Sequence, residues 1–445
     1  MGNKNGALGG VRVCNLGAIW ALPHPLQIMA DMGAEVIKVE SIQVGRVGSP
    51  VTAYPKLRRG FADLCPEEHP WNRSLYFNDG QVGMKSLTID LTRPKGKELL
   101  RKLVLATDFI CENFSTGVMD RLGIGYEVLK SWRKDVIYLS LPGYGNTGPE
   151  AEYVAYGTNQ LGMTGITHLT GYVDGDPHQI AINYGDPTAG THAIMAILAA
   201  MLYRKRTGKG QFIDGSQREA GIRCIGEYIL DYQANNKLGT RMGNRHPSMA
   251  PCGIYRSAGP DKWVAISVTS DEEWRALCTA IGDPVWAKDE KFVDQQSRLR
   301  NQDELDRHIE EWTIQIAPYE AMLTLQHAGV AAGAVLTNAE VFEDWQNKAR
   351  NFYQAVNHPE VGPRRHPCIG WIMSKTPRYI PRAAPCLGEH NEYVLGEVLG
   401  LSKKEIAKLE AEKIIGKEPL PEADPLLRPE PGRLRKKAEE RKPAE

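Results

Sequence analysis

The sequence has no excess of either charge: Lys plus Arg and Asp plus Glu each number 54 among 445 residues. Without a global field the chain has no general attraction for nucleic acid or for an acidic membrane, so any anion-binding surface must be local. A long hydrophobic run is also lacking. The longest apolar stretch, Ala193 to Tyr203, falls short of the roughly 20 residues that span a bilayer. The first ten residues, MGNKNGALGG, lack the charged-then-apolar layout of a secretory signal and the Ser or Thr of a myristoylation signal. The expectation is therefore a cytoplasmic chain with no membrane partner and no nucleic-acid partner.

Paired cysteines are missing too. Cys14, Cys65, Cys111, Cys224, Cys252, Cys278, Cys368 and Cys386 are scattered singly, and none forms a CxxC pair. This excludes the usual zinc spacings, predicts no metal, and reads as reduced cytosolic thiols. Finally, no GxGxxG follows the first strand, whose turn is Leu16-Gly17-Ala18-Ile19-Trp20-Ala21-Leu22-Pro23. An ordinary NAD-binding domain is disfavoured.

What is present alternates between strand and helix. A run of β-rich residues, Val11–Leu16, precedes a helical stretch from Pro23 to Met32 and a second strand, Glu35–Glu40. Gly96–Leu105 then reads as a helix, Asp108–Cys111 as a strand, Tyr126–Trp132 as a helix and Val136–Leu141 as a strand. Such alternation predicts an α/β fold, a Rossmann-like parallel sheet covered on both faces. Ligands bind such sheets beyond the carboxyl ends of the strands. From about 225 to 335 the texture changes to a smaller α+β domain. It holds a hairpin over Gly253–Tyr255 and Trp263–Ser267, then charged amphipathic helices around 271–281 and 303–326. Residues 340–416 read as loop-rich, with a helix near Tyr393–Leu399. Residues 417–445 hold six prolines and fifteen charges among twenty-nine positions. With almost nothing to bury, this tail is expected to be disordered.

The segment Gly185-Asp186-Pro187-Thr188-Ala189-Gly190 carries the most chemistry. Asp followed by Pro before an apolar helix places Asp186 at the N-cap and Pro187 at N1. Capping alone, worth about 1 kcal/mol, would account for the aspartate. A carboxylate fixed there is also a candidate nucleophile, with Gly185 and Gly190 leaving room for a substrate.

Several segments in order resemble the class III CoA-transferase family, typified by formyl-CoA transferase and carnitine CoA-transferase, over about Gly10 to Gly416. They are Asp31–Glu40, Lys85–Leu91, Glu112-Asn113-Phe114, Met119–Gly123, Gly143-Tyr144-Gly145, the Gly185-Asp186 turn, Thr207–Gln211 and Ala384–His390. The resemblance implies that Asp186 attacks a donor acyl-CoA thioester and carries CoA, as an aspartyl thioester, to an acceptor acid. It implies acyl-CoA and carboxylic acid substrates, with coenzyme A bound in residues 1–220 and 340–416 completing that large domain. Asn113, Phe114 and Arg121 match contacts to the nucleotide end, Ile89 and Leu91 the adenine wall, and Gly143 and Tyr144 a phosphate-side loop. A homodimer of interlocked rings is implied as well, or a heteromer with a related subunit.

The chain departs from the formyl-CoA transferase pattern in four places. Trp20 replaces Gln, Ser41 replaces Arg, Pro142 replaces Lys, and Gly243–Met249 replaces a glycine-run lid. One phosphate contact is then expected to come from elsewhere, from Lys38 or Arg46, or to be lost. Trp20, unless it is simply core, suggests an acyl group larger than formyl or oxalyl. The α-methylacyl-CoA racemases share the fold and pair the aspartate with a histidine thirty residues upstream. Here Tyr156 stands at that position, and a phenol with a pKa near 10 is a poor proton shuttle at neutral pH.

Overall fold

A computed structural model describes residues 6–44, 46, 60–65 and 69–420. Most of the charged tail, from 421 onward, and residues 1–5 lie outside the described residues. The chain divides into two units. The larger comprises 1–166, 181–226 and 349–445; the smaller comprises 167–180 and 227–348.

The larger unit is built on six parallel strands: β1 (Arg12–Asn15), β2 (Glu35–Glu40), β3 (Lys85–Thr88), β4 (Phe109–Glu112), β5 (Ile137–Ser140) and β6 (Gln211–Asp214). Their order is β3-β2-β1-β4-β5-β6. Successive residues feed opposite cores, as the pleat requires. Cys14, Ile37, Leu87, Ile110 and Tyr138 pack with Leu99, Leu100 and Leu103 of the helix Pro94–Ala106. Val13, Val36, Phe109, Ile137 and Leu139 pack on the other side with Leu26 and Met29 of the helix Pro23–Asp31. The same core takes in Ala193, Ile197 and Ala200 of the helix Gly185–Thr207. With both faces covered, β1 to β5 are almost wholly buried, polar residues such as Lys38, Lys85 and Ser86 included.

The long helix stops where Gly208 turns left-handed, φ 73°, and its N–H returns to the Arg204 carbonyl at 2.8 Å. Its start differs from the expected cap. Tyr184 precedes the first helical residue and Asp186 lies inside the first turn, without a side-chain capping bond. The Asp186 amide instead donates to the Asn183 carbonyl at 3.2 Å, so the backbone closes the turn and leaves the carboxylate unused.

The smaller unit holds an antiparallel sheet, β7 (Cys252–Arg256), β8 (Trp263–Ser267) and β9 (Ala331–Ala334). The helical region expected over 303–326 is two helices, Gln302–Thr313 and Pro318–His327. Pro318 at the first position of the second helix cannot continue the preceding one. The loop-rich region beyond 340 contains a hairpin, β10 (Tyr353–His358) and β11 (Gly362–Pro367), whose consecutive Arg364, Arg365 and His366 hide the alternation of a strand. Among the described residues no helix is long and apolar enough to cross a membrane.

Candidate active site

In the six-stranded sheet the order reverses between β1 and β4, since β2 and β3 extend to one side and β5 and β6 to the other. Loops leaving the carboxyl ends of those two strands diverge and leave a crevice, where such folds bind ligands. The expected residues gather along this edge. Trp20 follows β1, Ile89 and Leu91 follow β3, Asn113 and Phe114 follow β4, and Gly143 and Tyr144 follow β5. Arg121 lies in the turn Val118–Arg121 just beyond β4.

The β1 loop is held at consecutive peptides. The Gly17 N–H donates to Asn15 Oδ1 at 2.7 Å, and the buried Lys38 ammonium donates to the Gly17 carbonyl. Asn113 then takes the Ala18 N–H on Oδ1 at 2.7 Å and donates Nδ2 to the Ala18 carbonyl at 3.0 Å. Thus Asn113 staples the β4 loop to the β1 loop across the switch point. The next residue, Ile19, has φ 61°, a left-handed conformation that costs a β-branched residue on the order of 1–3 kcal/mol. Such strain persists only where the surroundings fix it, and these four bonds do so. Trp20, half-buried, sets its ring edge-on to His24 at 5.9 Å.

Two expected phosphate ligands are corrected. Lys38 is buried and committed to the Gly17 carbonyl. Arg46 is 1% exposed, and its fork is spent on Glu40 at 2.9 and 3.1 Å, Asn72 at 3.1 Å and the Pro385 carbonyl at 2.9 Å. Both are structural cations. Of the adenine-wall pair, Ile89 is sealed in the core and Leu91 is half-covered beside it. Arg121 is solvent-exposed beside the Thr116 carbonyl, and Tyr144 meets Tyr153 edge-on at 5.8 Å.

The helix Gly185–Thr207 runs back toward the start of β6, which sets its N-terminus on the ligand side of the sheet. Gly190 brings it against the β1 loop. A Cβ there would sit 2.4 Å from the Ala21 carbonyl oxygen and 2.7 Å from Pro25 Cγ. This glycine therefore serves helix packing, not substrate room. Gly157 does the same for the helix Gly157–Met163, where a Cβ would lie 2.4 Å from Asn183 Cβ.

Asp186 sits at the meeting of these segments. It is 7% exposed, and among the described residues no group donates a hydrogen bond to its carboxylate. Burial pushes its pKa up to about 6. The environment offers the charge no partner, so desolvation is unopposed and holds the carboxyl above its ordinary value of 3.8. At pH 7 the group is still roughly nine-tenths ionised, one unit above its pKa.

Tyr76, on the helix Leu75–Gly80, was not singled out from the sequence. It is 43% exposed overall, yet burial of its hydroxyl, and then the negative charges of Asp186 and Asp79, push that group above its ordinary range. It is a neutral hydrogen-bond donor within the electrostatic reach of Asp186. Nothing in the local pattern around Tyr76 announced this, because α-helical spacing accounts for it equally well. Tyr156, at the position of the racemase histidine, is 66% exposed, and its backbone N–H is capped by Asn159 Oδ1 at 2.6 Å.

A buried carboxylate without hydrogen-bond partners thus lies beside the switch point of a parallel sheet. A family model described as CoA-transferase family III matches residues 8–391. The chain belongs to that family. Succinyl-CoA–D-citramalate CoA-transferase of Chloroflexus aurantiacus is 33% identical to this family III chain, over 91% of it and 97% of the relative. Succinate–glutarate CoA-transferase of Agrobacterium fabrum is 30% identical, over 89% and 97%. The crystal structure of a CAIB/BAIF family protein from Brucella suis matches with a TM-score of 0.78 and 33% identity, covering 88% of this chain and all of the other. The protein is an enzyme of the CoA-transferase type, and family membership makes coenzyme A part of its substrate.

Proposed function

We propose that this enzyme moves CoA between carboxylic acids by covalent catalysis at Asp186. The observation that carries the reading is the carboxylate itself: buried, ionised at neutral pH and without a hydrogen-bond partner. The carboxylate attacks the thioester carbonyl of the donor acyl-CoA, forming a mixed anhydride and expelling CoA thiolate. The thiolate then attacks the aspartyl carbonyl of that anhydride. An aspartyl-CoA thioester forms and the donor acid leaves with one oxygen from Asp186. The acceptor carboxylate attacks this thioester, and the thiolate recaptured by its acyl carbon yields the product acyl-CoA. No general base is needed, because each nucleophile is already an anion at pH 7. Binding of the long CoA moiety can offset formation of the anhydride.

Asn113, Phe114, Arg121, Ile89, Leu91, Gly143, Tyr144 and Trp20 stand as the proposed CoA-side residues. Asn113 contributes by stapling the β1 loop, and Ile89 by backing the wall from the core. Succinyl-CoA is the donor to try first, since the Chloroflexus relative is named for it. A homodimer is proposed as the active form. Exposed apolar side chains on the long helix, Met195 and Leu202 at 69% each, are consistent with a covered face.

The oxygen bookkeeping supplies the test. With acceptor acid labelled with oxygen-18 in both carboxylate oxygens, each turnover should leave one label on Asp186, and label should appear in the donor acid released over the following turnovers. Label that stays entirely with the acceptor would overturn the aspartyl route.

A further inference from the structure

Beside the nucleophile lies a polar side chain that the reaction just described does not use. Gln160, on the helix Gly157–Met163, is 1% exposed. Its Oε1 is buried with no hydrogen-bond partner. The side-chain amide is wedged between two glycines. Oε1 lies 3.6 Å from where a Cβ of Gly185 would be, and Nε2 lies 3.0 Å from that of Gly143. Gly185 is the residue before Asp186, and Gly143 is in the loop after β5. Buried polar groups are almost always satisfied, so an exception calls for an explanation, and beside Asp186 a partner that arrives with the substrate supplies one.

We propose that Gln160 is a specificity-determining residue that reads a hydroxyl on the acyl group carried by Asp186, so that the enzyme prefers hydroxylated carboxylic acids to their deoxy analogues. The inference rests on the aspartyl route proposed above. A hydroxyl suits this amide because it both donates and accepts, and so satisfies whichever end of the amide faces it. Position argues the same way. A hydroxyl on the α- or β-carbon is two or three bonds from the acyl carbon, whereas the first amide of the pantetheine arm is four bonds away, beyond the sulfur. A site built to bond a hydroxyl discriminates strongly, because the analogue without it leaves the buried group unpaired.

The test uses the full-length enzyme and matched pairs of acceptors, 2-hydroxy and 3-hydroxy acids against their deoxy forms, with one and with two carboxylates. For wild type, kcat/KM should favour the hydroxy member of at least one pair by about tenfold or more. Gln160→Met keeps length and removes both polar ends. It should reduce that preference by about tenfold, change kcat/KM for the deoxy acid by less than about threefold, and leave the thermal midpoint equal or higher, since a buried orphan has been removed. Gln160→Glu, which retains an acceptor, should keep part of the preference. Equal losses on both members of every pair would mean that Gln160 serves the fold or the pantetheine arm, and would overturn the proposal. So would a wild type without preference across the panel. In both cases label transfer to Asp186 would still proceed, whereas failure of the aspartyl route itself would show as its absence.

Discussion

Two buried carboxylates of the larger unit, Glu40 and Asp186, are treated in opposite ways. Glu40 ends β2 and receives Arg46 on both oxygens, at 2.9 and 3.1 Å, and the Ser86 hydroxyl at 2.6 Å. Burial pushes its pKa up, but Arg46, with help from Lys38 and Ser86, outweighs burial and holds it below the usual carboxylate range. Asp186 receives nothing, and burial alone raises it to about 6. A charge kept for structure is saturated with donors. Asp186 is left bare, and on the proposed aspartyl route it has no bonds to surrender before attacking.

The largest expected effect that separates them is on turnover. Asp186→Asn should lower CoA transfer by on the order of a thousandfold or more, as loss of a covalent nucleophile does. The same substitution should not destabilise. A carboxyl whose folded pKa is raised from 3.8 to about 6 stabilises fully only below pH 4 and loses that contribution as pH rises through 6. Removing the charge should therefore return at most about 3 kcal/mol at pH 8, two units at 1.36 kcal/mol each. Chemical denaturation of the two proteins at pH 8 measures this, and a large loss of stability in the variant would contradict the account. Glu40→Gln should behave inversely. It strands Arg46 in the core and should cost about 3–5 kcal/mol, with activity falling only as the folded fraction falls.

Smaller effects sharpen the contrast. Gly190→Ala places a methyl against the Ala21 carbonyl and Pro25, and should cost about 1–3 kcal/mol by overpacking, read as a lowered thermal midpoint. If that substitution altered acid selectivity without loss of stability, Gly190 would belong to substrate space after all. The pH dependence is gentler. The acidic limb of kcat/KM should rise with an apparent pKa near 6 as Asp186 ionises, and a limb centred near 4 would mean that the carboxylate has partners.

The sheet and the helix start at Asp186 were legible because their signals are local. Short apolar and β-branched stretches such as Val36-Ile37 and Ile137–Leu139 betray strands, and Asp186-Pro187 marks a helix start. What was illegible depends on contacts far apart in the chain. Arg46, a candidate phosphate ligand by its charge, meets the Pro385 carbonyl 339 residues away. Asn113 gives its whole amide to Ala18, 95 residues earlier. The β10–β11 hairpin was read as loop because Arg364, Arg365 and His366 mask its alternation. Gln160 is silent in any window of sequence. Only its burial without a partner sets it apart.

The central claim is that Asp186 becomes covalently acylated. It is tested most directly by incubating the enzyme with succinyl-CoA and other acyl-CoAs, trapping with hydroxylamine or borohydride, and analysing the peptide containing Asp186 by mass spectrometry. The account predicts a mass change confined to Asp186 and absent from Asp186→Asn. An unmodified Asp186 in an enzyme that is turning over would contradict it.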